Sequence, residues 1–142
     1  MSQAMIYLDE RGVAREDVLA RGRRAATGFD RIGVREGDTV ALLLRNDFAF
    51  FEVQQAAAAV GAYAVPINWH GKTEEATYIL EDAKPKVLVA HADLLAPLRP
   101  HIPAGIQVLV VNTPPEVRAR YGIDQARAAA ASADVEWTQW AD

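Results

Sequence analysis

A Gly71-Lys72-Thr73 triplet closes the stretch VPINWHGKT, Val65 to Thr73, and it is the ending of a loop that cradles nucleotide phosphates. Such a loop needs a glycine five positions ahead of the triplet, so that successive backbone N–H groups can turn inward around the phosphates. Pro66 stands there, with no N–H to donate and a locked φ. The triplet is therefore not read as a phosphate cradle. Asp9 and Glu10 close IYLDE, and paired carboxylates at a strand end could hold Mg²⁺. A phosphoacceptor site of that kind also needs an aspartate and a lysine ending later strands, whereas those strands end at Arg45, Asn68, His91 and Asn112. His70, His91 and His101 have no second histidine three or four residues away and read as solvated loop or strand-end histidines, not metal ligands. The chain has no cysteine, which excludes disulfides, thiolate metal sites and cysteine nucleophiles. No serine sits in a G-x-S-x-G elbow, and after Leu44 the residues RNDFAF replace the G-x-G-x-x-G of a dinucleotide site.

The elements that must position these residues alternate between the two hydrophobic periods. Met5 to Leu8 reads as a short strand closed by a turn at Arg11-Gly12. From Arg15 the period becomes helical, with Val18, Gly22, Ala25, Phe29 and Ile32 on one stripe and Gly33 as the stop. Val40 to Leu44 is an apolar run suited to a strand covered on both faces. Asn46 or Asp47 can cap the next helix, DFAFFEVQQAAAAVG, whose mostly apolar circumference predicts that it is largely buried. Tyr63 to Asn68 reads as a second strand, followed by a helix capped by Thr73 with Glu74 and Glu75 in its first turn and Ala76, Ile79, Leu80 and Ala83 inward. KPKVLVAH is a third strand, a short helix covers Ala92 to Leu98, and Gln107 to Asn112 is a fourth strand. Strands alternating with helices predict an α/β fold, a mostly parallel sheet with helices on both faces. Residues 1–113 form this sheet unit, and 114–142 form a helical or irregular segment in which Trp137 and Trp140 must pack back on the core or onto a further part. Ligands of such sheets bind beyond the carboxyl ends of the strands, here Arg45, Asn68 to Lys72, His91 and Asn112-Thr113.

The chain has 142 residues, enough for one real core. Its net charge of −4 argues against nucleic acid or an anionic membrane as partner. No apolar run approaches the ~20 residues of a membrane span, and the N-terminus lacks a basic segment leading into an apolar one, so a cytoplasmic location is expected. Seven arginines fall between Arg11 and Arg35, with Arg21, Arg23 and Arg24 on one helix. A solvated face is the default reading of such a run, and contact with a neighbouring domain is the alternative.

Three segments together carry a resemblance. GVREGDTVALLLRND, Gly33 to Asp47, is similar to the early block of AMP-forming acyl-CoA synthetases, within the adenylate-forming ligases. Ala59 to Leu95 resembles the block that follows, with Gly-Ala, a strand ending in Pro-x-Asn, a helix opening on Thr-x-Glu and a strand of lysine and aliphatics. REDVLARGRRAATGFDRIG resembles the helix ahead of both, and Asn-Trp-His resembles the medium- and long-chain fatty-acid members. The likeness covers Glu16 to about Val111. It makes Pro66-Ile67-Asn68 a strand end, Gly71 the bend into a helix and Lys72 a surface lysine.

The resemblance implies a reaction in which a carboxylate attacks the α-phosphate of ATP to give an acyl-adenylate and pyrophosphate, and the CoA thiol then displaces AMP. ATP, Mg²⁺ and CoA would serve the parent enzyme and an acyl acid would be its substrate. The family's Ser/Thr/Gly-rich loop, Tyr-Gly-x-Thr-Glu segment, ribose-binding aspartate, Gly-Arg-x-Lys-Asp hinge and C-terminal lysine have no counterpart in this sequence. The expectation is an N-terminal fragment of the large domain, itself without catalytic residues or metal site. It would lean on the rest of that domain and on the C-terminal domain, with self-association where an edge is bare. His70, Gly71 and Arg99 would face the CoA side. The competing readings are a free-standing α/β module that binds CoA, a nucleotide or a protein, and a flavodoxin-like flavin binder.

Overall fold

The computed structural model describes residues 4–8, 10–131 and 134–141. Asp9, half of the carboxylate pair considered above, lies outside the described residues. Strands β1 (Met5–Leu8) and β2 (Arg11–Ala14) form an antiparallel hairpin in which Leu8 faces Arg11. The turn expected at Arg11-Gly12 is thus the start of a strand. Its RGVA sequence has no apolar alternation of its own, and pairing with β1 is what extends it.

Five further strands make one parallel sheet. They are β3 (Thr39–Leu43), β4 (Tyr63–Pro66), β5 (Val87–His91), β6 (Gln107–Val111) and β7 (Val135–Glu136), in the order β4-β3-β5-β6-β7. Because successive side chains of a strand point to opposite faces, each central strand feeds two cores. Val40 and Leu42, Val87 and Val89, and Leu109 lie on one face, while Ala41 and Leu43, Leu88 and Ala90, and Val110 lie on the other. A strand buried on both sides must be apolar throughout, which is why β3 and β5 read as continuous runs.

Helices α1 (Arg15–Arg31) and α2 (Phe48–Ala59) cover the first face, joined by the terminal turn α7 (Trp137–Trp140). On α1 the inward stripe is Val18, Gly22, Ala25, Ala26 and Phe29, while Ile32, expected there, caps the helix and is exposed. At Gly22 an added Cβ would stand 2.7 Å from the Gln55 Cβ, so the missing side chain sets how closely α1 and α2 approach. Helix α2 buries Phe48, Ala49, Glu52, Val53, Ala56 and Ala57 but leaves Phe51 44% exposed, so the helix expected to be largely buried is buried on one side: it covers one face of the sheet with one of its own. Helices α3 (Thr73–Ala83) and α4 (Ala92–Leu95), with a 3₁₀ turn at Arg99–His101, cover the second face through Ala76, Leu80, Ala92 and Leu95. Thr73 is the first residue of α3 and not its cap, a position held by Lys72 without a side-chain bond.

After β6 the chain forms α5 (Pro115–Tyr121) and α6 (Gln125–Ala128) before returning as β7 and α7. Trp137 is 2% exposed and joins the first core, so that tryptophan folds back onto this chain. No helix among the described residues is long and apolar enough to cross a membrane.

Candidate functional site

The strand order reverses between β3 and β5, and the helices that follow them leave on opposite faces, α2 on the first and α4 on the second. The loops therefore part at the carboxyl ends of β3 and β5 and leave a crevice, where open α/β sheets accept ligands. Here the chain fills the crevice with its own charges. Arg45, just beyond β3, sends Nη1 and Nη2 to the two carboxylate oxygens of Asp93 at 2.9 and 2.7 Å. The pair is buried, with Arg45 7% exposed and Asp93 6%. Thr113, beyond β6, donates its hydroxyl to Asp93 Oδ1 at 2.7 Å. One aspartate thus ties together the ends of three neighbouring strands.

His91 extends the cluster. The backbone N–H of Arg45 donates to His91 Nδ1 at 3.1 Å, which makes Nδ1 an acceptor and leaves the proton on Nε2. Nε2 then donates to Asp47 Oδ2 at 3.0 Å, while Asp47 Oδ1 accepts from the Phe48 N–H at 2.7 Å and starts α2. His91 is fully buried, so its reading as a solvated histidine is corrected; it is a strand-end histidine with both ring nitrogens engaged. Burial alone would raise the Asp93 carboxyl. The hydrogen bonds from Arg45 and Thr113, the Arg45 charge and the nearby His91 outweigh that and hold it below its ordinary value.

Two aromatic rings roof the pair. The Arg45 guanidinium carbon lies 4.8 Å from the centre of the Trp69 ring and 5.2 Å from that of Tyr121, close enough for cation–π attraction. Arg45 and Trp69 separate two cavities. One of about 230 Å³ runs toward Leu8, Glu116 and Tyr121. The other, of about 310 Å³, runs toward Gly71, Lys72, Leu98 and Arg127.

Of the residues assigned to the CoA side, His70 is exposed and stacks on Trp69 with ring centres 3.6 Å apart. Gly71 lines the second cavity, and a Cβ added there would stand 3.1 Å from the Asn68 carbonyl oxygen, so the glycine eases a tight backbone approach and does not supply a positive φ. Arg99 is not among that cavity's lining residues, and its Nη2 donates to Asp134 Oδ2 at 2.6 Å. The loop and Arg99 are therefore not gathered into one pocket. Asp93 and Asp47, which organise the crevice, were visible in the sequence only as a neighbour of His91 and a helix cap. The arginine run on α1 is corrected in part. Arg21 donates to Glu52 at 3.0 Å and to the Thr138 carbonyl at 3.5 Å, and Arg24 to the Ala141 carbonyl at 2.9 Å, so these two hold the returning tail, and Arg23 stays exposed.

The cluster can position strand ends and loops, because every hydrogen-bonding atom of its histidine and carboxylates faces a partner, and the Thr113 hydroxyl donates to Asp93. Among the described residues there is no group of three or more histidine and acidic side chains that could hold a metal ion.

Comparison with known proteins agrees with this architecture. The chain is 39% identical over 70 residues to the long-chain-fatty-acid–CoA ligase FadD13 of Mycobacterium tuberculosis, covering 49% of this chain and 14% of that one. It is 30% identical over 104 residues to an uncharacterized protein of the same species, covering 73% of this chain and 59% of the relative. It therefore spans only part of each. A benzoate CoA ligase from Burkholderia xenovorans LB400 superimposes with a TM-score of 0.76 at 16% identity, over 97% of this chain and 25% of that one. A chain of Rhodopseudomonas palustris CGA009 assigned as a long-chain-fatty-acid CoA ligase does so with a TM-score of 0.76 at 25% identity, over 99% and 33%. The resemblance to the N-terminal part of adenylate-forming ligases is borne out: the AMP-binding enzyme profile matches residues 2–140, and this chain belongs to that family.

Proposed function

We propose that this chain supplies the N-terminal sheet layer of an ATP-dependent, AMP-forming acyl-CoA synthetase that acts on fatty acids in the cytoplasm. The observation that carries the reading is the match of residues 2–140, nearly the whole chain, to the AMP-binding family. The likeness to FadD13 over 70 residues supports a fatty-acid substrate. In the parent, the carboxylate attacks the α-phosphate of ATP to give an acyl-adenylate and pyrophosphate, and the CoA thiol then takes the acyl group and releases AMP. Mg²⁺ would neutralise phosphate charge in that reaction, but the described residues do not form a site for it, and no step is assigned to them. Their contribution is to hold the strand ends rigid through Arg45, Asp93 and Thr113, as a preorganised site needs. His70, Gly71 and Arg99 are assigned to the CoA side. Titration of the intact parent with CoA tests that assignment, since His70→Ala and Arg99→Ala are expected to weaken binding. Unchanged affinity in both would refute it.

ATP–pyrophosphate exchange with a panel of fatty acids tests the main reading, run on this chain and on the longest product of its reading frame. Exchange is expected only in the longer product. One observation favours a second reading, a free-standing module that binds CoA, a nucleotide or a protein. The 104 aligned residues make up 59% of the uncharacterized mycobacterial relative, whereas 70 make up 14% of FadD13, so that relative is a much shorter chain than FadD13. A stop codon after Asp142, together with direct CoA binding by this chain, would establish the module.

A further inference from the structure

Helices α1 and α7 enclose a groove of about 490 Å³ on the side of the sheet away from α3 and α4. Arg24, Thr27, Gly28 and Arg31 line it from α1, and Gln139 and Trp140 from α7. Arg24 and Arg31 stand seven residues apart, about two helical turns, so both leave the same side of the helix. Between them, Gly28 lets the Trp140 ring lie against the helix, since an added Cβ would meet that ring at 2.7 Å. The result is a concave surface with an aromatic wall on one side and two guanidinium groups on the helical side.

Among the described residues, no carboxylate lines it. Arg24 spends only its Nε, on the Ala141 carbonyl at 2.9 Å, which leaves both terminal amino groups of its guanidinium. Arg31 forms no hydrogen bond or ion pair with the described residues. Asp30, its neighbour in sequence, is paired with Arg35 at 3.2 Å. Two guanidinium groups on one helix side, without a carboxylate of the described residues against them, can both donate N–H groups to a bound oxyanion. The Gln139 amide adds a neutral donor at the rim.

We propose that the α1–α7 groove is an oxyanion site, in which Arg24 and Arg31 hold the phosphate or carboxylate group of a small molecule. Trp140 forms the wall, so its fluorescence reports occupancy. The experiment titrates this chain with inorganic phosphate and, separately, with acetate at constant ionic strength, with Trp140→Phe as the variant that removes the signal. A saturable change with a half-point on the order of millimolar is expected for at least one of them, and the preferred anion identifies the source chemistry. Arg31→Gln should raise the half-point about tenfold, as loss of a charge-assisted hydrogen bond does. Thr27→Glu, which places a carboxylate in the groove, should abolish the response, and far-UV circular dichroism verifies that each variant is folded. Arg23→Gln, outside the groove, should change nothing. A linear response to both anions, or an equal loss in Arg23→Gln and Arg31→Gln, would overturn the site.

Discussion

Two buried polar clusters lie at different places in the fold. At the strand ends, Arg45, Asp93, Thr113, His91 and Asp47 join three neighbouring strands, and partners up to 48 positions apart meet there. Under α1 and α2, Glu52 accepts from Trp137 Nε1 at 2.8 Å and from Arg21 Nε at 3.0 Å, pinning the returning tail to the first helices. In the first cluster a charge pair occupies a crevice that other sheets leave for a ligand. In the second, a single carboxylate serves an aromatic peg whose main contribution is packing. The comparison separates a buried charge pair from a buried carboxylate shared between a half-buried arginine and a ring.

Removing one member of the strand-end pair should have the largest effect. Asp93→Ala leaves the Arg45 guanidinium buried without a counter-charge, a loss of about 3–5 kcal/mol, read as a lower urea midpoint. Replacing both, as Arg45→Met with Asp93→Leu, should recover much of that loss because neither charge then stays buried. If the double variant were as unstable as the single one, the packing of Arg45 under Trp69 and Tyr121 would matter more than its charge. The same pair sets an acid limb. Because the folded Asp93 carboxyl is depressed, its contribution is complete above the unfolded value, near 4, and is lost as the pH falls through the lower folded value. Asp93→Asn should flatten the stability profile in that window, as measured by urea unfolding from pH 6 to pH 2.

The second cluster should lose less. Trp137→Phe keeps most of the buried ring but leaves Glu52 Oε1 short of a donor, a cost of about 1–3 kcal/mol. Phe29, whose ring centre lies 6.1 Å from that of Trp137, keeps an aromatic neighbour in either case. The measurement is again a urea midpoint, with Arg21→Gln beside it. A loss in Trp137→Phe as large as in Asp93→Ala would erase the distinction between the clusters.

Most of the sheet was legible because its signals are local. The apolar runs of β3 and β5, the stripe on α1 and Gly33 beyond it depend on neighbours within a turn or a strand. β2 and β7 were not legible, since four residues reading RGVA and two reading VE have no period until β1 and β6 pair with them. Tyr63 to Asn68 was read too long by the same limit, because the β3 register ends with Leu42 opposite Pro66. At the site, strand-end position nominated Arg45, His91 and Thr113 before any geometry was known. It could not tell that Arg45 would turn inward to Asp93 and not outward to a ligand. That choice is made by burial and by the roof of Trp69 and Tyr121, which come from separate parts of the chain.

The smallest expected effect lies at the rim of the first cluster and tests where it ends. Arg11, 44% exposed, reaches Asp47 Oδ1 at 3.5 Å and Glu116 Oε1 at 2.8 Å, and so connects the β1–β2 hairpin to the strand ends. An exposed cation gains little from such pairs, since water screens them and the long side chain gives up rotamer freedom, so Arg11→Ala should cost less than about 1 kcal/mol. The loss should shrink further in added salt, as an exposed ion pair does and a buried one does not. Arg11 also lies 4.7 Å from the centre of the Phe48 ring, so a salt-independent remainder would be packing on α2. A loss as large as that of Asp93→Ala, unchanged by salt, would mean that the hairpin is part of the buried network and that the cluster extends from β1 to α5.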